Sequence, residues 1–318
     1  MKRREFLQLS FGIAAVAALS TYAKAEAVPK EIRIGTQKGG FFPAVKARQT
    51  LEKAFTPLGI DVKWVDFQFG PPLLEAINVG SVDFGYVGDL PPIFAQAAGA
   101  RIRCVAAVKS AGTTQAIIVP KDSPITTLAD LRGKRVAFGK GSSAHNLLVA
   151  ALEKAGLTWS DITPAPLAPA DATAAFVKGS VDAWSIWDPY LALAELKEHA
   201  RVIAFDKDVH KANAFYIAGA DFVEKYPAIV ADLNAVFAAE GVWADQHHEE
   251  VASAQAEATG VDIEAIRRFV NRSNYRVVPI DDEIVRSQQA VADRFARLDL
   301  IPKPINVPEI VWKWTPGA

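Results

Sequence analysis

The chain of 318 residues is poor in groups that do covalent or metal chemistry, with one cysteine and five histidines. A single thiol, Cys104, excludes an intramolecular disulfide even in an oxidising compartment. Its setting, Ile102 to Val108, is an apolar run in which a small buried residue is the ordinary role for cysteine. Positive charge is not in excess either: 35 Lys and Arg stand against 36 Asp and Glu, which argues against a nucleic-acid partner. Beyond the first 25 residues no apolar run is long enough to cross a bilayer. His247-His248-Glu249-Glu250 lacks the His-Glu-x-x-His spacing that sets two imidazoles on one helix face, and His199 and His210 are scattered. There is no Gly-x-Ser-x-Gly elbow, and Asp281-Asp282-Glu283 reads as a charged helix start rather than a calcium loop. No catalytic residue, metal or cofactor is therefore expected.

What is present begins with an address. Lys2, Arg3 and Arg4 precede an apolar stretch from Leu9 to Leu19 and a small-x-small site at Ala23-Lys24-Ala25, the signature of an export signal. Arg3-Arg4-Glu5-Phe6-Leu7 favours twin-arginine export over the general secretory route. Cleavage is expected after Ala25, with Ala27 as the alternative, and no cysteine stands nearby to carry a lipid. The mature chain is expected free in a periplasm with a net charge of about −4.

The chain also states one motif twice. Gly80-Ser81-Val82-Asp83 returns about a hundred positions later as Gly179-Ser180-Val181-Asp182, and Arg33-Ile34-Gly35 is answered by Arg135-Val136-Ala137. Two copies are too few for a solenoid and predict two similar lobes with a ligand between them.

Strand-like and helix-like runs alternate around these copies. Glu31–Gly35, Val62–Phe67, Asp83–Val87 and Arg103–Val108 read as strands, and Ala44–Ala54, Pro71–Asn78 and Pro91–Ala98 as helices. A second series runs from Gln115–Val119 through Arg135–Phe138, Ala144–Ala155, Pro169–Val177, Val181–Ile186 and Leu191–Glu198 to Arg201–Phe205, and Ala214–Ala218 follows. From Pro227 onward the pattern is helical and has no counterpart in the second series. The rhythm predicts an α/β protein of two lobes, each a mostly parallel sheet flanked by helices. The expected limits are an export signal over 1–25, one lobe from 28–114 plus 218–318, and another over 115–217. Crossings near 110–118 and 212–220 would form a two-segment hinge.

Ligands of open α/β sheets sit beyond the carboxyl ends of the strands, where helix N-termini favour anions. Gly88-Asp89-Leu90-Pro91 pairs a glycine that permits close approach with an aspartate that either caps the helix or meets the ligand. Gly139-Lys140-Gly141-Ser142-Ser143-Ala144-His145 lacks the spacing of a nucleotide-binding loop, yet Ser142 and Ser143 can donate to an anion and His145 can serve as a polar partner. Gln37 supplies a neutral amide donor. Trp187 would be a lid over an aliphatic part of the ligand, and Asp188 carries the same two readings as Asp89. Thr113, Thr114 and Phe215 stand at the expected hinge.

Gly70 to Phe84, Gly88-Asp89-Leu90-Pro91-Pro92, Lys140 to Asn146 and Val181 to Pro189 resemble the aliphatic sulfonate-binding proteins of ABC transporters over essentially the whole mature chain. The resemblance implies the type II periplasmic binding fold and capture of an organosulfonate for a membrane permease and its ATPase, with the binding protein a monomer. It implies that sulfonate oxygens meet Gln37, Gly88, Asp89 and Ser143, with Trp187 and Asp188 opposite. Phe41-Phe42-Pro43 follows Gly39-Gly40 at a place where the relatives vary widely, which leaves the tail-facing wall and the ligand chain length open. Taurine, nitrate or another small anion is the alternative ligand. An enzyme on this scaffold, like the thiamine-pyrimidine synthases, would need a cysteine-rich motif that is absent.

Overall fold

A computed structural model describes residues 28–316, so the expected export signal lies outside the described residues. Ten strands alternate with seven helices up to residue 219: β1 (Glu31–Thr36), α1 (Phe42–Ala47), α2 (Thr50–Phe55), β2 (Asp61–Asp66), α3 (Gly70–Asn78), β3 (Phe84–Val87), α4 (Leu90–Ala97), β4 (Ile102–Lys109), β5 (Gln115–Val119), β6 (Arg135–Phe138), α5 (Ser143–Lys154), β7 (Thr163–Pro166), α6 (Pro169–Val177), β8 (Ala183–Trp187), α7 (Tyr190–Lys197), β9 (Arg201–Phe205) and β10 (Asn213–Gly219). There follow α8 (Ala220–Lys225), α9 (Pro227–Ala244), α10 (His248–Thr259), α11 (Ile263–Asn271), the short β11 (Val277–Val278) and α12 (Asp282–Arg297).

The strands form two sheets, β11-β4-β10-β3-β1-β2 and β7-β6-β8-β5-β9. Without β11, the two orders match strand for strand, β4 with β9, β10 with β5, β3 with β8, β1 with β6 and β2 with β7. Within each lobe the strands point mostly one way, as expected, but the hydrogen-bonded pairing is mixed. The reversed strands β10 and β5 run antiparallel to both neighbours, and β11 is antiparallel to β4. β5 and β10 are also the strands by which the chain arrives in each sheet after crossing. The whole of Asn213–Gly219 pairs in the first sheet, so the second crossing falls before Asn213 and not at 217/218.

The echoed motif is one structural device built twice. Asp83 accepts from the Arg33 backbone N–H at 2.7 Å and from its guanidinium at 2.6 Å, while its own N–H donates to the Arg33 carbonyl at 2.8 Å. Asp182 accepts from the Arg135 N–H at 2.8 Å and its guanidinium at 3.0 Å, and returns an N–H to the Arg135 carbonyl at 2.8 Å. The preceding turns need the left-handed region, supplied by Gly80 at φ 71° and Gly179 at φ 67°. In each copy the clamp ties the start of the third strand to the start of the first.

Two departures from the expected elements have local causes. The helix expected over Ala44–Ala54 is broken at Gln49, which adopts φ 55°. The break lets Arg48 reach α9, its Nε 3.0 Å from Glu240 and its guanidinium 3.4 Å from the Trp243 ring centre. β7 escaped the sequence reading because Pro164 and Pro166 interrupt it; it lies at the edge of the second sheet, where a missing N–H is tolerated.

The first lobe is packed around stacked rings, with Phe42 and Phe237 4.2 Å apart and Tyr216 edge-on to both. The second lobe packs Val136, Leu147 and Leu148 on one face of its sheet and Trp184 and Phe176 on the other. A further apolar cluster belongs to both lobes, joining Leu90, Ile93 and Phe295 of the first to Val149 of the second. The lobes therefore meet through an apolar seam.

Candidate ligand-binding cleft

The loops that leave β1, β3, β6 and β8 converge between the lobes on a cavity of about 110 Å³. Gln37, Gly88, Ser142, Ser143, Trp187 and Asp188 all line it; Asp89 and His145 do not. Aromatic rings of Phe41, Tyr86, Tyr216 and Tyr275 supply much of the wall, and no lysine or arginine is among its described lining residues.

Anion-binding capacity is unequal on the two sides. Helix α4 begins Leu90-Pro91-Pro92, so two of its first-turn positions have no N–H to offer. Helix α5 begins Ser143-Ala144-His145 with no side-chain cap; the His145 N–H donates to the Ser142 carbonyl at 2.9 Å, which leaves the N–H groups of Ser143 and Ala144 for a guest. Ser142 is its N-cap by position, yet its hydroxyl donates to the Gly139 carbonyl at 2.7 Å and holds the loop instead of the helix. Gln37 donates one amide N–H to the Tyr86 carbonyl at 2.7 Å, which leaves the second N–H of that amide free of this bond.

Gly88 permits a close approach, but the neighbour that requires it is the other lobe. A Cβ at Gly88 would stand 2.7 Å from the Ser143 Cβ. Gly39 has the same role against the second loop, where a Cβ would meet the Asp188 carbonyl oxygen at 2.9 Å.

The two aspartates separate cleanly. Asp188 stands just before Pro189, the N-cap of α7, and accepts from the Ala192 N–H in the first turn at 2.9 Å, while its other oxygen lies 3.4 Å from Nε of Arg272 at the end of α11. Burial pushes its carboxyl up to about 7, against the pull of the Arg272 guanidinium. Asp89 holds the N-cap position of α4 without capping it. Its chain turns away from the cavity into the seam, where Oδ2 accepts from Asn146 at 2.6 Å and faces His210 Nε2 at 3.5 Å. The structure thus does not bring the Asp89 carboxylate to the cavity.

His145 is likewise a seam residue. Its ring stacks 4.7 Å from Phe138 of its own lobe and lies edge-on 5.1 Å from Phe295 of the other. Nδ1 faces the Gly141 N–H at 3.4 Å, and burial, aided by Lys140, pulls the imidazole down to about 3. It enters the cleft only through the loop that it steadies. Of the expected hinge residues, Thr114 lines the cavity, Thr113 donates to the Arg272 carbonyl at 3.2 Å, and Phe215 is buried in the first core.

Sequence reasoning missed Tyr86, Gln115, Tyr275 and Arg272. Tyr86 stands inside the first echo, where it was legible as a strand residue only. Gln115 begins β5 and brings to the cavity wall a buried Oε1 without a hydrogen-bond partner among the described residues. Tyr275 and Arg272 follow α11, far from either echo, and carry no local signal.

Two α/β lobes of matching strand order, joined by two crossings and enclosing a cavity at their strand ends, define the type II periplasmic binding fold. Residues 55–244 match the NMT1/THI5-like family. A putative aliphatic sulfonates-binding protein of Escherichia coli K12 is 40% identical over 310 residues, covering 96% of this chain and 97% of the relative. Among solved structures, the periplasmic aliphatic sulphonate binding protein SsuA of Escherichia coli matches with a TM-score of 0.82 and 39% identity over 91% of this chain and 94% of that one. The alkanesulfonate-binding protein SsuA of Xanthomonas axonopodis pv. citri, bound to MOPS, matches with a TM-score of 0.83 and 38% identity over 90% and 99%. The chain belongs to the NMT1/THI5-like family, within the group of the aliphatic sulfonate-binding proteins.

Proposed function

We propose that this protein is the periplasmic solute-binding component of an ABC importer and that its cleft captures an aliphatic sulfonate. One observation carries the ligand reading. The cavity offers an uncapped helix start, the Ser143 hydroxyl and an amide N–H, with aromatic walls and no basic side chain among its described lining residues. That chemistry suits a small, permanently charged anion with an apolar tail, because a sulfonate stays ionised at any working pH and dipoles hold it without a counter-charge. Ser143 and Gln37 are the proposed oxygen contacts, with Ser142 holding the loop. Trp187 is the proposed lid over the tail, and Gly88 the point at which the lobes can touch.

Capture follows from hinge closure about the crossings at 110–114 and 206–212. The moving bodies are residues 28–114 with 213–318, and 115–212. Ligand contacts made from both lobes at once favour the closed form. The closed, loaded monomer is the form delivered to a permease and its ATPase. An enzymatic role has little to work with, since Cys104 is buried in β4 and burial pushes its thiol up to about 12.

Thermal shift against a panel of alkanesulfonates, taurine, nitrate and sulfate tests the reading. Binding that saturates at 100 times Kd raises stability by about 2.7 kcal/mol through mass action. The expected result is a shift with alkanesulfonates that exceeds those with nitrate and sulfate. No shift with any sulfonate overturns the ligand reading.

A further inference from the structure

Behind the cavity the lobes are joined by a buried polar bridge centred on one residue. Asn146 of α5 is fully buried, and its Nδ2 donates to Asp89 Oδ2 of the first lobe at 2.6 Å. Its Oδ1 accepts from the guanidinium of Arg294, on α12 of the first lobe, at 3.1 Å. A carboxylate accepts only and a guanidinium donates only, so the two partners fix which way round the carboxamide stands. The far side of Asp89 is held as well, since its carbonyl accepts from Gln288 Nε2 of α12 at 2.6 Å.

The bridge lies one step from the cavity-lining loops on both sides. Asp89 follows Gly88, which touches Ser143 across the seam, and Asn146 stands one helical turn beyond Ser142 and Ser143. Nδ2 also lies 3.2 Å from His210 Nε2; separating the lobes must break the bonds of Asn146 to Asp89 and Arg294, and remaking them sets the spacing of the two loops without help from a guest. Bonds to charged partners in a dry seam are the stronger kind.

We propose that Asn146 is a positioning residue for ligand capture: bridged to Asp89 and Arg294, it holds the lobes in the closed register before a ligand arrives and slows ligand release. This rests on the cleft being the binding site. It predicts that the ligand-free protein populates the closed arrangement, so that a ligand selects it in part rather than assembling it from an open form.

The test uses the mature protein with spin labels at Val79→Cys and Val177→Cys, exposed sites at the C-terminal ends of the matching helices α3 and α6 in the two lobes, while native Cys104 is buried. Interlobe distances are measured without ligand by pulsed electron resonance, and MOPS serves as the probe for association and release rates. Asn146→Ala removes the bridge at its centre. Arg294→Leu removes one end of it and leaves the buried Asp89 pair, but it also removes the Arg294–Glu153 ion pair across the seam, 2.8 Å long, so Glu153→Gln, which keeps Asn146 bridged, is its control and should retain wild-type distances. We expect the ligand-free distances of both variants to shift toward a longer separation, and MOPS release to quicken by roughly tenfold with association little changed. Wild-type distances in both variants, with a lowered melting temperature as the only effect, overturn the proposal and make Asn146 a packing residue. If the distances shift but wild-type protein does not bind MOPS, the bridge stands and the ligand reading is what fails.

Discussion

Gly88 and Trp187 stand at the same place in the two copies of one motif, each five residues past the aspartate of its clamp. One has no side chain and the other the largest. Around them the copies agree closely, in strand order, in the glycine that turns the chain and in the hydrogen bonds from Arg33 to Asp83 and from Arg135 to Asp182. The repeated parts hold each lobe together, and the unlike parts meet in the cleft. The repeated geometry therefore accounts for the scaffold, while the proposed recognition falls where the two copies differ.

The strongest way to break this comparison is to give the first lobe a side chain where it has none. Gly88→Val places atoms against Ser143 and should weaken sulfonate binding on the order of 100-fold, since forcing extra atoms into a close contact costs about 1–3 kcal/mol. Titration calorimetry reads this, and wild-type affinity in Gly88→Val would show that the lobes need not touch at this point.

A second effect separates the seam from both cores. His145 is held down at about 3 by burial, below its ordinary 6.5, so from pH 6.5 downward the unfolded chain takes a proton that the folded chain refuses. Its share of stability is complete above pH 6.5 and is lost as the pH falls toward 3. Relative to wild type, His145→Phe should gain stability on acidification by up to roughly 1.4 kcal/mol per pH unit. Denaturant melts at pH 7, 6, 5 and 4 check it, and parallel curves for the two proteins would refute it.

The lid follows. Trp187→Ala should reduce affinity roughly tenfold, with most of the change in the release rate. The smallest effects compare the clamps themselves. Arg33→Ala leaves the well-buried Asp83 short of a charged partner and should cost about 1–2 kcal/mol. Arg135→Ala should cost less, because Asp182 and its arginine are more exposed to water, with side chains 33% and 48% accessible. Equal losses would mean that the two clamps are not distinguished by burial.

Much of the architecture was legible in the chain. Local signals sufficed for most strands and helices, since periodicity, Gly99 after α4 and the prolines at helix starts act within a few residues. They failed where a distant partner overrides local preference, as at Gln49, where Arg48 is drawn to Glu240 and Trp243. The site was legible as four loops, because strand ends and helix starts are visible in sequence. Which side chains point into the cavity was not. Asp89 and Asp188 look alike in sequence and differ in fate because Asn146 meets one and Arg272 the other, through contacts that no local pattern encodes.

The position of β10 has a consequence for how the protein is made. It lies between β3 and β4, yet more than a hundred residues separate it from either along a growing chain. Until Asn213–Gly219 emerges, those two strands have no common neighbour, and the ring cluster of Phe42 and Phe84 waits for Tyr216 and Phe237. The second lobe is continuous in sequence and can assemble earlier. The first lobe to be synthesised is thus the last to be completed, and the interval in which its apolar faces stand uncovered is set by the time taken to build its partner.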